Sequence, residues 1–78
     1  MSKALLEVLA RALVLQPDQV RVTPQSREGL SVLTLEVAKD DMGRVIGKQG
    51  KIIKAIRKVV RTTSGAAGKN TVVEVVSR

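Results

Sequence analysis

Residues 43–53 of this chain read Gly43-Arg44-Val45-Ile46-Gly47-Lys48-Gln49-Gly50-Lys51-Ile52-Ile53, and they carry the most specific pattern in the sequence. Gly47 and Gly50 join two predicted helices with only two residues between them. Glycine adopts positive φ and, because it has no Cβ, lets another backbone approach closely. The helix after Gly50 begins with N–H groups that lack intrahelical acceptors and carry the positive end of the helix dipole, which suits a phosphate. The pattern therefore predicts a phosphate-binding corner between two helices.

The residues around this corner add positive charge and an apolar surface. The flexible cationic side chains are Lys48, Lys51 and Lys54, and the apolar ones are Val45, Ile46 and Ile53. We therefore predict a phosphate clamp beside an apolar groove. Taken alone, the G-x-x-G spacing favours a plain structural corner between two helices, and a binding role has to be supported by the surrounding residues and elements.

Two other glycine motifs do not fit these residues. A phosphate-binding loop of nucleotide hydrolases requires G-x-x-x-x-G-K-[S/T], but Gly43 and Gly47 are one residue too close, and Gln49 replaces the hydroxyl that would hold magnesium. A dinucleotide-binding loop requires G-x-G-x-x-G between a strand and a helix, whereas these glycines separate two helices. Both nucleotide-binding motifs are rejected.

Hydrophobic spacing outward from the corner predicts the remaining elements. Predicted helices cover residues 3–15, 42–46 and 51–62, predicted strands cover 20–23, 30–37 and 71–76, and predicted loops cover 24–29 and 63–70. Pro17 ends the first helix, and Asp40 or Asp41 is the predicted N-cap of the second. The element order is α-β-β-α-α-β.

The strand over residues 30–37 carries apolar side chains on both faces, which indicates a central position in the sheet. The loop before it is short enough for an antiparallel hairpin, and the helical pair after it is long enough for a right-handed parallel crossover. We therefore predict an α+β fold with a three-stranded mixed sheet and helices packed on one face. The other face is open to water or to a partner.

The composition excludes several classes of protein, because the chain contains no His, Cys, Phe, Tyr or Trp. Zinc modules, disulfide frameworks, thiol nucleophiles and imidazole bases are excluded. So are the aromatic platforms on which RNA-recognition motifs and oligonucleotide-binding folds stack bases. An enzyme would have to rely on carboxylates, lysines and hydroxyls, so we predict no catalytic residue, no metal ligand and no cofactor.

Length and hydropathy predict one small domain over residues 1–78, with a core built from 13 Val, 8 Leu and 4 Ile. No apolar run approaches the roughly 20 residues of a membrane span, and the first residues lack a signal-peptide pattern. We therefore expect a cytoplasmic protein without membrane contact.

The charge is divided unevenly along the chain. Residues 1–41 carry a net charge of −1 and residues 42–78 a net charge of +8, within a total of +7. Seven basic residues and no acidic residue lie between Arg44 and Arg61. Such a block is typical of a surface that binds a polyanion, although a charge run alone is as often a solvated helix face.

The combination of V-I-G-x-x-G-x-x-I, a basic helix and the α-β-β-α-α-β order resembles the KH domain. The element order is similar to the type II (prokaryotic) arrangement, and the resemblance covers essentially the whole chain. A single KH domain of this size resembles the small bacterial KhpA family of RNA-binding proteins. The resemblance implies that the loop holds about four nucleotides of single-stranded nucleic acid without aromatic stacking.

The resemblance also implies roles for individual residues. Gly47 and Gly50 would approach the sugar-phosphate backbone, with Lys48 and Gln49 at the loop tip. Other phosphate contacts would come from Arg44, Lys51 and Lys54, and the groove floor beneath the bases from Val45, Ile46 and Ile53. Arg27, in the predicted loop over residues 24–29, would reach the far rim.

The family further implies a homodimer, or a heterodimer with a larger KH protein of the Jag type. We expect an RNA chaperone or post-transcriptional regulator that acts within a complex. A KH-shaped module for protein contact is the alternative. A membrane-surface helix is disfavoured because it would favour Trp or Phe, and an enzyme fits the sequence least.

Overall fold

The computed structural model of the protein describes residues 2–63 and 71–78. Its elements are α1 (Ser2–Leu13), β1 (Arg21–Arg27), β2 (Leu30–Val37), α2 (Met42–Ile46), α3 (Lys51–Thr63) and β3 (Thr71–Ser77). Single 3₁₀ turns cover Pro17–Gln19, Lys39–Asp41 and Lys48–Gly50. The predicted order α-β-β-α-α-β is confirmed. Most of the predicted loop over residues 63–70 lies outside the described residues, and Thr63 itself belongs to α3.

The three strands form one sheet in the order β1-β2-β3. β1 pairs with β2 in antiparallel register, with Val22 opposite Leu35, and β2 pairs with β3 in parallel register, with Leu33 opposite Val73. The predicted mixed sheet and the central position of β2 are therefore confirmed.

The helices cover one face of this sheet and form the core with it. The buried core residues are Leu6 and Ala10 of α1, Val14 and Val20 between α1 and β1, Val22 of β1, Leu33, Leu35 and Val37 of β2, Val45 of α2, Ile53, Ile56 and Val60 of α3, and Val73 of β3. Burying each Val, Leu or Ile side chain contributes about 1.5–3 kcal/mol, so these aliphatic contacts are the main favourable contribution to folding. No helix within residues 2–63 and 71–78 has both the length and the apolar character that crossing a bilayer requires.

The prediction of a loop over residues 24–29 is wrong, because β1 continues through Pro24 to Arg27. An edge strand tolerates proline because the N–H on its free side has no partner to lose. Only Glu28 and Gly29 form the turn, and both have positive φ (49° and 82°), as the favoured two-residue hairpin turns require. The sheet is therefore longer at this end than the proline and glycine suggested.

The first helix is also shorter than predicted, since α1 ends at Leu13 and not at residue 15. The N–H groups of Leu15 and Gln16 each donate to the carboxylate of Asp41, both at 3.1 Å. These bonds take the chain out of helical geometry before Pro17 is reached.

Candidate nucleic-acid interface

The loop between α2 and α3 is a sharp corner built from positive-φ residues. Gly47 has φ 76° and ψ 174°, Gln49 has φ 56° and ψ 24°, and Gly50 has φ 74°. The Gly47 N–H donates to the Gly43 carbonyl at 2.9 Å and so closes α2, and the Gly50 N–H donates to the Gly47 carbonyl at 3.2 Å. The predicted use of both glycines for positive φ is confirmed.

The two glycines differ in what surrounds them. A Cβ placed on Gly47 would lie 2.6 Å from Cγ1 of Ile52, which is closer than real Cβ contacts come. A Cβ on Gly50 would meet nothing nearer than 3.8 Å. Gly47 is therefore required both by its φ/ψ and by packing against α3, whereas Gly50 is required by φ alone.

Lysines without acidic partners surround this corner. Lys48, Lys51 and Lys54 are exposed, and none of them forms a salt bridge among the residues that the structure describes. Four basic residues of other elements do pair with acids: Lys3 and Arg11 with Glu7, Arg27 with Glu74, and Arg78 with Glu36. The positive charge where the loop meets the N-terminus of α3 is therefore not neutralised by the described acidic residues.

Asp41 positions the helix that carries the loop. It stands at the N-cap position of α2, but its carboxylate does not cap that helix. It lies 1% exposed, accepts the two N–H groups that follow α1, and pairs with Nε of Arg44 at 3.3 Å. The predicted capping role is therefore wrong for Asp41: the carboxylate ties α2 to α1 and holds Arg44 beside the loop.

The predicted groove floor is only partly accessible. Val45 is 0% exposed and Ile53 is 6% exposed, and both belong to the hydrophobic core. Ile46 is half-buried at the edge of the same cluster. The prediction that all three line an open groove is wrong for Val45 and Ile53, because their spacing places them on the core faces of α2 and α3. Ile46 alone of the three offers a ligand an apolar surface.

Comparison with known proteins agrees with this geometry. Residues 3–75 match the family model described as "KhpA/KhpB, KH domain". The chain belongs to this family. No solved structure gives a significant match.

Relatives named "RNA-binding protein KhpA" match nearly end to end. The chain is 47% identical to the one from Clostridium acetobutylicum over 74 residues, which are 95% of this chain and 99% of the relative. It is 40% identical to the one from Treponema pallidum over 76 residues, 97% and 95% of the two chains. Identity to the protein from Aquifex aeolicus is 38% over 73 residues, 94% and 92%.

Within this KhpA/KhpB KH domain, Arg27 is the candidate residue that the structure separates from the loop. It lies at the end of β1 and points to the sheet face away from the helices, where it pairs with Glu74 at 3.2 Å and with the Gln25 amide oxygen at 3.1 Å. The prediction that it lies on a loop at the rim of the groove is therefore wrong, because the residues expected to form that loop are strand. The structure brings the other candidate residues together around the corner.

The basic surface beside the loop extends along α3 past the predicted site residues. Lys54 lines a surface groove of about 500 Å³ together with Arg57, Lys58, Arg61 and Thr62 of the same helix. The sequence shows the helical spacing of these basic residues, but the same spacing is found on helix faces that only contact solvent. Arg57 has a second role, because its Nε donates to the Val73 carbonyl of β3 at 3.2 Å.

Proposed function

We propose that this protein binds single-stranded RNA with the loop Gly47–Gly50, acting by binding and not by catalysis. The observation that carries the proposal is the set of lysines that form no salt bridge with the described residues, at a positive-φ corner that opens a 13-residue helix. The backbone N–H groups at that helix start and the lysine ammonium groups are both donors to phosphate oxygens. The name shared by the relatives, RNA-binding protein, supports RNA as the polyanion.

The clamp consists of charge, close backbone approach and one apolar contact. Lys48 and Gln49 project from the loop tip, and both are exposed. Arg44, Lys51 and Lys54 add phosphate contacts around them. Ile46 supplies the apolar contact beside the loop, so a single groove of this kind reads about four nucleotides with low selectivity. Low selectivity suits an RNA chaperone or post-transcriptional regulator in the cytoplasm.

The test replaces the loop tip by aspartate. Lys48→Asp/Gln49→Asp reduces the net charge from +7 to +4 and places carboxylates against the phosphates. Aspartate tolerates the left-handed conformation of residue 49, so the circular dichroism spectrum is expected to stay unchanged. Binding of an eight-nucleotide oligouridine, followed by fluorescence anisotropy at low salt, is expected to disappear.

The matched control makes the same two replacements elsewhere. Lys3→Asp/Gln16→Asp changes exposed residues in α1 and just after it by the same net charge. This control is expected to keep most of the RNA affinity. Equal losses in the two variants would show that net charge alone decides binding, and an unaffected loop variant would contradict the clamp.

We also propose that the protein pairs with a second KH domain, either another copy or a larger relative of the Jag type. The family model covers KhpA and KhpB together, which supports such a pairing. The outer face of the sheet carries the exposed apolar side chains of Leu30, Val72 and Val76. Sedimentation velocity of the wild type and of Val72→Lys is the test, and a monomer at all concentrations would contradict a homodimer.

A further inference from the structure

Four basic side chains form a line along the exposed side of α3. Lys51, Lys54, Lys58 and Arg61 follow one another at intervals of three, four and three residues, and all are exposed. The buried residues of the same helix, Ile53, Ile56 and Val60, lie on its opposite side. We call these four residues the basic stripe. It begins at the loop and runs to the last turn of the helix.

The positive charges of the basic stripe are not neutralised by the described acidic residues. None of its four residues forms a salt bridge within the described part of the chain. Lysines and arginines three and four residues apart on one helix repel each other, which weakens the helix by a few tenths of a kcal/mol per pair. Arg57 beside the stripe differs, because it binds a carbonyl of β3.

The lining of the groove along the stripe indicates what it binds. The described side chains that line it are cationic or carry a hydroxyl: Lys54, Arg57, Lys58, Arg61 and Thr62. A protein interface has an apolar or aromatic core that is depleted in lysine, and no apolar or aromatic residue of the described chain lines this groove. A chain of phosphates requires only cations at intervals, so the groove fits a polynucleotide backbone.

We infer that Lys58 and Arg61 bind the phosphates of the RNA segment that continues beyond the loop, so that the binding site extends along α3. This inference rests on the proposed function of the loop. Lys51 and Arg61 are ten residues apart, which is about 15 Å along a helix. Lys58 and Arg61 would each bind one further phosphate. The site therefore covers about six nucleotides, two more than the four that a KH loop holds.

The experiment measures how affinity depends on salt and on RNA length. Lys58→Gln/Arg61→Gln replaces both charged side chains with glutamine, which favours helix. The variant keeps the hydrogen bond from Arg57 to the Val73 carbonyl. Wild type and variant are titrated with oligouridines of four and eight nucleotides between 50 and 200 mM KCl. With the eight-nucleotide RNA, the slope of log affinity against log salt is expected to be smaller in the variant by about 1.4, because each phosphate contact on a single strand contributes about 0.7. With the four-nucleotide RNA, the slopes are expected to agree.

The salt slope is the deciding measurement, because a longer oligonucleotide also gains affinity simply by offering more binding registers. Lys3→Gln/Arg21→Gln removes the same charge from α1 and from the outer sheet face, and it is expected to keep the wild-type slope. Equal slopes for wild type and Lys58→Gln/Arg61→Gln with the longer RNA would overturn the inference.

Two other outcomes separate the hypotheses. If the wild type binds neither RNA, the proposed function fails together with the inference; if it binds both with the same slope, only the inference fails. NMR titration tests an acidic protein partner as the alternative, with an oligoglutamate peptide as the probe. If the peptide shifts the amide signals of residues 58 and 61 and the eight-nucleotide RNA does not, the basic stripe binds an acidic protein and the inference is wrong.

Discussion

At the scale of single residues, the two glycines of the loop have different roles. Gly47 lies at φ 76° and ψ 174°, a region that only glycine populates, and its missing Cβ makes room for Ile52. We expect Gly47→Ala to lower the free energy of unfolding by about 3 kcal/mol or more, since backbone strain and overpacking add. Gly50→Ala should cost only about 1 kcal/mol, because its φ of 74° is strained but the space is free. Urea denaturation of both variants measures the difference.

A second substitution identifies the steric part of this cost. Ile52→Ala removes the Cγ1 and Cδ1 atoms that lie 2.6 and 2.9 Å from the position of the new Cβ. Combined with Gly47→Ala, it should therefore destabilise by less than the sum of the two single variants, whereas combined with Gly50→Ala it should be additive. Additivity in both pairs would contradict the packing role of Gly47.

Asp41 connects the start of α2 to the end of α1. Its buried carboxylate accepts the Leu15 and Gln16 N–H groups and pairs with Arg44. We expect Asp41→Ala to lower the free energy of unfolding by about 2–4 kcal/mol, because it leaves two backbone donors without their acceptor. The neighbouring Asp40 is exposed, and Asp40→Ala should change stability by less than about 0.5 kcal/mol. Equal losses of stability in Asp41→Ala and Asp40→Ala, measured by thermal or urea unfolding, would contradict the proposed role of Asp41 in joining α2 to α1.

At the scale of elements, the sequence predicted those parts in which local spacing and tertiary packing agree. β2, α2 and α3 lie where their apolar periods placed them, since each has a face that the core buries, and the corner lies where the two glycines placed it. The predicted end of β1 is wrong because the prediction places Pro24 in a loop, and sequence alone does not distinguish a proline in an edge strand from one in a loop. Whether an apolar residue such as Val45 lines a groove or the core depends on how neighbouring elements pack, which spacing alone does not specify.

The contact between α3 and β3 gives a prediction at this scale. β3 pairs with β2 on one side only, and Arg57 of α3 donates through Nε to the Val73 carbonyl. We expect Arg57→Gln to lower the free energy of unfolding by about 1 kcal/mol, since one hydrogen bond that joins helix and strand is lost. Lys58→Gln, one residue further on and without such a bond, should not destabilise. Urea denaturation of both variants distinguishes a structural Arg57 from one that only carries charge.

At the scale of the whole molecule, the fold separates paired from unpaired charge. The near-neutral half, residues 1–41, supplies α1 and two strands, and three of its six acids, Glu7, Glu36 and Asp41, pair with bases from both halves. The half with a net charge of +8 supplies the loop and α3, where the lysines repel one another. The surface that we propose to bind RNA is therefore also one whose like charges destabilise the folded state.

This conflict predicts that removing a binding charge stabilises the protein. Lys54 lies in the first turn of α3, where a cation opposes the helix dipole, and it is three or four residues from Lys51, Arg57 and Lys58. We expect Lys54→Gln to raise the free energy of unfolding by about 0.5 kcal/mol at 50 mM KCl and to weaken RNA binding. At 500 mM KCl the stabilisation should largely vanish, since the screening length is then only a few ångströms.

Lys3→Gln is the matched control, because Lys3 also lies in the first turn of a helix. Lys3 has an acidic partner, because its Nζ lies 4.0 Å from the Glu7 carboxylate. Lys3→Gln should therefore leave the free energy of unfolding unchanged or lower it slightly. Urea denaturation at both salt concentrations compares the two variants with the wild type. If Lys54→Gln were less stable than wild type at low salt, the lysines of α3 would be part of what holds the fold together, and the opposition between folding and RNA binding would be wrong.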